Sequence, residues 1–183
     1  MKRNSLLNCT VRYLVIDTCV WKDASLSKDP FSLCVLLSLY LTCGYKLVLD
    51  KEGDILNEYY ESIFTSNKDA HTFFRKIEEA GKIVRREKAS LDVVNVILSY
   101  ADFEYFDPSD IKFLQVAVNA PGSEREPTII VSKDSRSFIE LRKRLDEKIP
   151  RVPPPYIIRR FKIITPKEAV ESGLARIAPP RPF

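Results

Sequence analysis

Tyr13-Leu14-Val15-Ile16-Asp17-Thr18 and Thr128-Ile129-Ile130-Val131-Ser132-Lys133-Asp134 are the two stretches on which the fold turns. In each, a β-branched and apolar run stops abruptly at hydroxyl and acid residues. Apolar character that is continuous rather than alternating belongs to strands covered on both faces, as in a parallel sheet. The carboxyl ends of parallel strands lie along one edge, and α/β proteins bind their ligands there. Asp17 and Asp134, far apart in the chain, are therefore expected at the same edge.

Working outward, residues 12–17 read as the first strand. Asp29-Pro30 opens a helix, with Pro in the first turn, that runs through Leu41. Tyr45 to Leu49 is a second strand, and Asp50 or Lys51 begins a helix through about Phe64. Ser66-Asn67 caps a helix ending at Gly81. Lys82-Ile83-Val84 is a short strand, and a helix spans Ser90 to Tyr100. Asp107-Pro108-Ser109-Asp110 is a clean helix start, with Asp107 at the N-cap, Pro108 at N1 and Asp110 at N3. After the 128–132 strand come a helix from Ser135 to Lys148, a Pro-rich connection and a last strand, Phe161 to Ile164. Thr165-Pro166-Lys167-Glu168 has the form of a capping box. Strands alternating with helices predict an α/β domain, a three-layer α/β/α sandwich around a parallel sheet. One domain over residues 1–183 is expected, with its core at 12–171 and an extended tail at 172–183.

The bulk numbers set the function classes. The chain has 183 residues, 45% hydrophobic and 30% charged, with 29 Lys and Arg against 25 Asp and Glu. The longest apolar stretch, Phe31 to Thr42, falls well short of the roughly 20 residues that span a bilayer. The basic N-terminus leads into no signal-peptide core. A cytoplasmic protein that does not enter membranes is expected. If four acids gather in one pocket, 29 basic side chains face 21 remaining acids, a balance suited to an anionic polymer. A Lys-rich solvated surface is the plainer reading. The four cysteines, Cys9, Cys19, Cys34 and Cys43, form no C-x-x-C pair, and His71 is the sole histidine. That argues against a zinc site or a histidine-dependent hydrolase. Cys19 and Cys34 read as small core residues.

Four acids stand out by position. Asp17 ends the first strand, Glu58 lies in the helix after the second, Asp110 is in the first turn of its helix, and Asp134 ends the late strand. Each also has a plainer role. Asp17 can close a turn. Glu58 shares an acidic helix face with Asp54 and Glu61, opposite a stripe of Ile55, Leu56, Tyr59 and Ile63. Asp110 can offset a helix dipole by about 0.3–1 kcal/mol, and Asp134 can cap the next helix. Taken together they suggest more. Crowded carboxylates repel one another and are pushed towards protonation by burial. A hard cation such as Mg²⁺, which prefers oxygen ligands, relieves both effects. Such a site can activate water and steady a phosphate without histidine or cysteine.

The series resembles PIN-domain nucleases, including VapC-type toxins. The likeness rests on Leu14-Val15-Ile16-Asp17-Thr18, Glu58, Asp110 to Ala117, Ile129 to Phe138, and the closing Lys162 to Val170, in that order. It implies a three-layer α/β/α fold and a Mg²⁺- or Mn²⁺-dependent endoribonuclease. In that reading Asp17, Glu58, Asp110 and Asp134 are the catalytic acids. Asp17, Asp110 and Asp134 hold metal, while Thr18 and Ser132 support the site. A toxin role, a homodimer and an inhibitory protein partner are further expectations of the resemblance.

RNA, as the expected partner, needs cations. Arg136, one turn beyond Asp134, and Lys133 are the candidate phosphate-binding residues. Other basic residues cluster at Arg75-Lys76, Lys82 to Lys88, Arg142 to Arg144 and Arg159-Arg160. Tyr60, Tyr105 and Phe106 are candidates for stacking on bases, whereas Tyr59 fits the core. The alternative to a nuclease is a non-catalytic PIN-like module that binds RNA or protein. A receiver-like signalling domain ranks last, because Lys133-Asp134 is the wrong arrangement for it.

Overall fold

The computed structural model describes residues 11–26 and 28–175. Its centre is a parallel sheet of five strands: β1 (Arg12–Ile16), β2 (Tyr45–Asp50), β3 (Ile83–Arg86), β4 (Thr128–Val131) and β5 (Phe161–Ile164). The spatial order is β3-β2-β1-β4-β5, all parallel. As anticipated, the inner strands are apolar along their length. Leu14, Val15, Ile16, Leu47, Val48, Leu49, Ile130 and Val131 are all buried.

Among the described residues, eight α-helices surround the sheet: α1 (Thr18–Ser25), α2 (Pro30–Leu41), α3 (Asp54–Tyr59), α4 (Lys68–Glu79), α5 (Leu91–Tyr100), α6 (Ile111–Asn119), α7 (Phe138–Lys148) and α8 (Pro166–Glu171). The chain first moves from β1 outward through β2 to β3, then returns to the other side of β1 for β4 and β5. Right-handed crossovers put helices from these two passages on opposite faces. α1, α2, α4 and α8 pack together on one side, and α5 with α6 on the other, which makes three layers. The direction of progression reverses between β1 and β4. That is the switch point at which open α/β sheets leave a crevice beyond their strand ends.

Several boundaries differ from the sequence reading, each for a local reason. Asp17 starts an additional helix, α1, by accepting from the Cys19 amide; its β-branched first residues gave no helical signal. The expected start at Asp50 or Lys51 moves to Asp54, because β2 continues through Asp50 and Gly53 then turns with φ 91°, a left-handed value that suits glycine. The same segment leaves α-geometry at Tyr60–Phe64, where one π-helical turn follows α3. The helix expected from Ser135 begins at Phe138, since Asp134 first gathers the Arg136 and Ser137 amides into a turn. The compact body also extends beyond residue 171: Leu174 and Ala175 are buried, and the Tyr45 hydroxyl donates to the Leu174 carbonyl at 2.5 Å. Residues 176–183, with the rest of the expected tail, lie outside the described residues, as does Cys9.

The core under α1, α3 and α4 is aromatic. Trp21 lies 5.6 Å from Tyr59 and from Phe64 and 5.9 Å from Phe74, mostly edge-on. The buried Tyr59 hydroxyl donates to the Ile16 carbonyl, tying the end of α3 to the residue before Asp17. At the opposite end of β4, Gly122 allows a close backbone crossing. A Cβ there would lie 2.5 Å from the Thr128 amide nitrogen and 3.0 Å from the Arg160 carbonyl oxygen. Gly122→Ala is expected to force the loop off the first residue of β4 at a cost of about 1–3 kcal/mol. A lowered urea midpoint with an unchanged m-value would show this.

Candidate functional site

β1 and β4 are neighbours with Ile16 in register with Val131, so their next residues emerge side by side. The Asp17 amide continues the ladder to the Val131 carbonyl at 3.0 Å. Ser132 is fully buried, and its hydroxyl donates to Asp17 Oδ2 at 2.5 Å. It also accepts from the Asp134 amide at 2.9 Å. One hydroxyl thus links the two strand-end acids.

Asp17 is 4% exposed and accepts two further hydrogen bonds from one neighbour: the Cys19 amide at 3.3 Å on Oδ1 and the Cys19 thiol at 3.1 Å on Oδ2 fix its orientation. Cys19 is therefore not a plain core residue; its thiol faces the site and also accepts from the Lys133 amide at 3.3 Å. Burial pushes the Asp17 carboxyl up, the bonds from Ser132 and Cys19 oppose that, and the charge of Asp134 raises it further. Burial and the Asp17 charge both keep the nearby Tyr59 phenol protonated.

Asp110 arrives from the opposite helical layer. Asp107 caps the segment as expected, accepting from the Ser109 amide at 2.8 Å. Pro108–Asp110 forms a 3₁₀ turn that feeds into α6. Asp110 is 9% exposed, and its carboxyl is pushed up to about 7. Burial is the main cause, a hydrogen bond from Ser137 offsets part of it, and the charges of Asp17 and Asp134 add to the rise. The three aspartates thus lie within each other's electrostatic range. Asp134 Oδ1 accepts the Arg136 and Ser137 amides at 2.8 and 2.7 Å. That is the capping role offered by its plainer reading, and it also fixes the carboxylate beside the other two. Among the described residues, no three acid, cysteine or histidine side chains are gathered closely enough to hold a metal ion as they stand.

Glu58 stands beside this trio. The Thr18 hydroxyl donates to Glu58 Oε1, and Lys112 Nζ lies 2.5 Å from Oε2. Thr18 thus connects Glu58 to Asp17 through the backbone, while Lys112 neutralises it. Asp54, the first of its acidic neighbours, pairs with Lys88. A groove of about 660 Å³ runs past Asp54, Glu58, Glu61, Ser109, Lys112 and Gln115. Its walls do not include Asp17, Asp110 or Asp134, so it adjoins the trio through Glu58 and Lys112.

The cations fall into two groups. Lys133 turns away from the acids, pairing with Asp23 at 2.5 Å and Asp29 at 3.3 Å. Lys88, Arg142, Arg144 and Arg159 also sit in ion pairs, and Arg160 donates to the Ala120 and Gly122 carbonyls. Arg136 is exposed, two residues past Asp134. Of the aromatic candidates, Tyr59 and Phe106 are buried and Tyr60 bonds to His71 at 3.0 Å, while Tyr105 is 87% exposed. Sequence reasoning missed Lys112, Ser137 and the orientation of Cys19. The spacing of Ser137 three residues after Asp134 is the one local hint, because an acid at a turn start draws in the amide at that offset.

Comparison with family models, with curated proteins and with solved structures finds no match. Among the described residues, no helix is long and apolar enough to cross a membrane.

Proposed function

We propose that the chain is a PIN-like, Mg²⁺- or Mn²⁺-dependent endoribonuclease. The observation that supports this reading is that Asp17 and Asp134, linked through Ser132 beyond the ends of β1 and β4, lie near enough to Asp110 for their charges to help raise its carboxyl to about 7, although the three side chains are not drawn together to coordinating distance. Carboxylates crowded to that degree suit a hard divalent cation. Asp17, Asp110 and Asp134 offer the right donor atoms for it. Glu58 is less suited, since the Lys112 ammonium already balances its charge. When bound, the ion would make water a better nucleophile and offset charge on the phosphate.

The protein's own contribution is orientation. Ser132 aims Asp17, two amides fix Asp134, and Ser137, whose hydroxyl accepts from the Asp107 amide at 3.4 Å, steadies the turn that carries Asp110. Arg136 is exposed two residues past Asp134, and it suits a phosphate oxygen. Lys133 is a weaker choice for RNA than its sequence position suggests, because Asp23 and Asp29 hold it. A homodimer, an inhibitory partner and a toxin role rest on the family resemblance alone.

The neutralised Glu58 favours a second reading, a non-catalytic module that binds RNA. Purified chain incubated with Mn²⁺ and a panel of single-stranded RNA, structured RNA and single-stranded DNA separates the two. The nuclease reading expects RNA cleavage that EDTA stops. RNA retention without cleavage at any metal concentration favours the module.

A further inference from the structure

We propose that Lys112 is a resident cation of the site, filling the place at Glu58 that a second metal ion would need, so that the centre loads a single divalent ion. This rests on the reading of Asp17, Asp110 and Asp134 as metal-binding residues.

Four acids could in principle divide between two ions, which in two-metal centres sit about 3.5–4 Å apart and clamp both sides of the phosphate. The geometry around Glu58 argues against that here. Its two carboxylate oxygens are each occupied, one by the Thr18 hydroxyl and the other by Lys112 Nζ at 2.5 Å. The Lys112 and Glu58 side chains are only 20% and 23% exposed, which shields their attraction from solvent more than a surface pair.

The lysine is also held in place. It leaves α6 two residues after Asp110, and its ammonium lies 5.6 Å from the ring centroid of the fully buried Phe113. Asp54, another carboxylate within the electrostatic range of Lys112, already pairs with Lys88. Loading a divalent ion onto Glu58 would therefore break an ion pair and leave a positive ammonium beside a doubly charged ion. A fixed ammonium avoids that repulsion and supplies positive charge next to the groove without depending on metal concentration.

Counting bound Mn²⁺ by the loss of its free-ion electron paramagnetic resonance signal tests this on the full chain, without any activity measurement. One ion per chain is expected for the native sequence and for Glu58→Gln. Lys112→Met is expected to release Glu58 and add a second, weaker ion, and Lys112→Met with Glu58→Gln should return to one. A thermal melt of each variant checks folding. Two ions on the native chain, falling to one in Glu58→Gln, would overturn the role given to Lys112 while leaving the metal centre standing. So would a folded Lys112→Met that still takes one. If Lys112→Met does not fold, the native chain and Glu58→Gln still decide the matter. Absence of Mn²⁺ binding altogether would remove both the inference and the nuclease reading beneath it.

Discussion

Asp17→Asn is expected to remove Mn²⁺-dependent RNA cleavage, with kcat/KM falling by about 1,000-fold, the scale of losing a group that stabilises charge in the transition state. The substitution keeps the shape of the side chain and deletes one negative charge. Its amide can still meet the Ser132 hydroxyl, which rotates to donate or accept, so the link between β1 and β4 survives. Burial already pushes this carboxyl up, so the folded state gains nothing from its charge when metal is absent. The variant should therefore melt no lower than the native chain in EDTA. Lost cleavage with an intact melt assigns Asp17 to chemistry. Equal cutting by the variant, or cutting that EDTA leaves untouched, would remove Asp17 from the mechanism.

The second large effect concerns acid–base behaviour. In metal-free buffer, stability should fall as the pH rises from about 4 to about 7. The Asp110 carboxyl titrates near 7 in the folded chain against an ordinary 3.8. Between those values the folded state keeps a proton that the unfolded state has released, so raising the pH favours unfolding. The contribution is complete below the lower value and is lost as the pH passes the upper one. Asp17 is shifted in the same direction and adds to the slope. Asp110→Asn should flatten the curve in part and raise the melting temperature at pH 8, by about 2–4 °C for each kcal/mol of strain relieved in a chain of this size. Mn²⁺ should then stabilise the native chain at pH 8 and barely affect the variant. A flat native profile from pH 4 to 7, or an Asp110→Asn profile with the native slope, would show that the acids are not crowded in solution.

Much of this architecture was readable from the chain. The unbroken apolar runs at 13–16 and 128–131 predicted inner parallel strands, and both are buried in neighbouring, in-register positions. The cap at Asp107 and the box at Thr165 and Glu168 formed as their residue types require. Strand-end position brought Asp17 and Asp134 to one edge because topology, not side-chain detail, controls it. What stayed hidden depends on rotamers and on contacts across layers. Nothing in Ile111-Lys112-Phe113 says that the lysine turns back to Glu58 rather than outward, nor does Ser132-Lys133-Asp134 say that Lys133 swings to Asp23. The α1 helix escaped for a different reason. Its start depends on one bond from the Cys19 amide to Asp17, and that outweighs the weak helical preference of Thr18 and Val20.

The fully buried carboxylate of Asp50, at the end of β2, accepts the Asp54 amide at 2.7 Å and the Ile55 amide at 2.9 Å. These bonds set the phase of α3. Each residue of an α-helix advances by about 100° around the axis, so adding or removing one residue between Asp50 and Glu58 would swing a different side chain towards Thr18 and Lys112. Which of three closely spaced acids greets the lysine is thus decided eight positions upstream, by an aspartate whose side chain bonds to neither Glu58 nor Lys112.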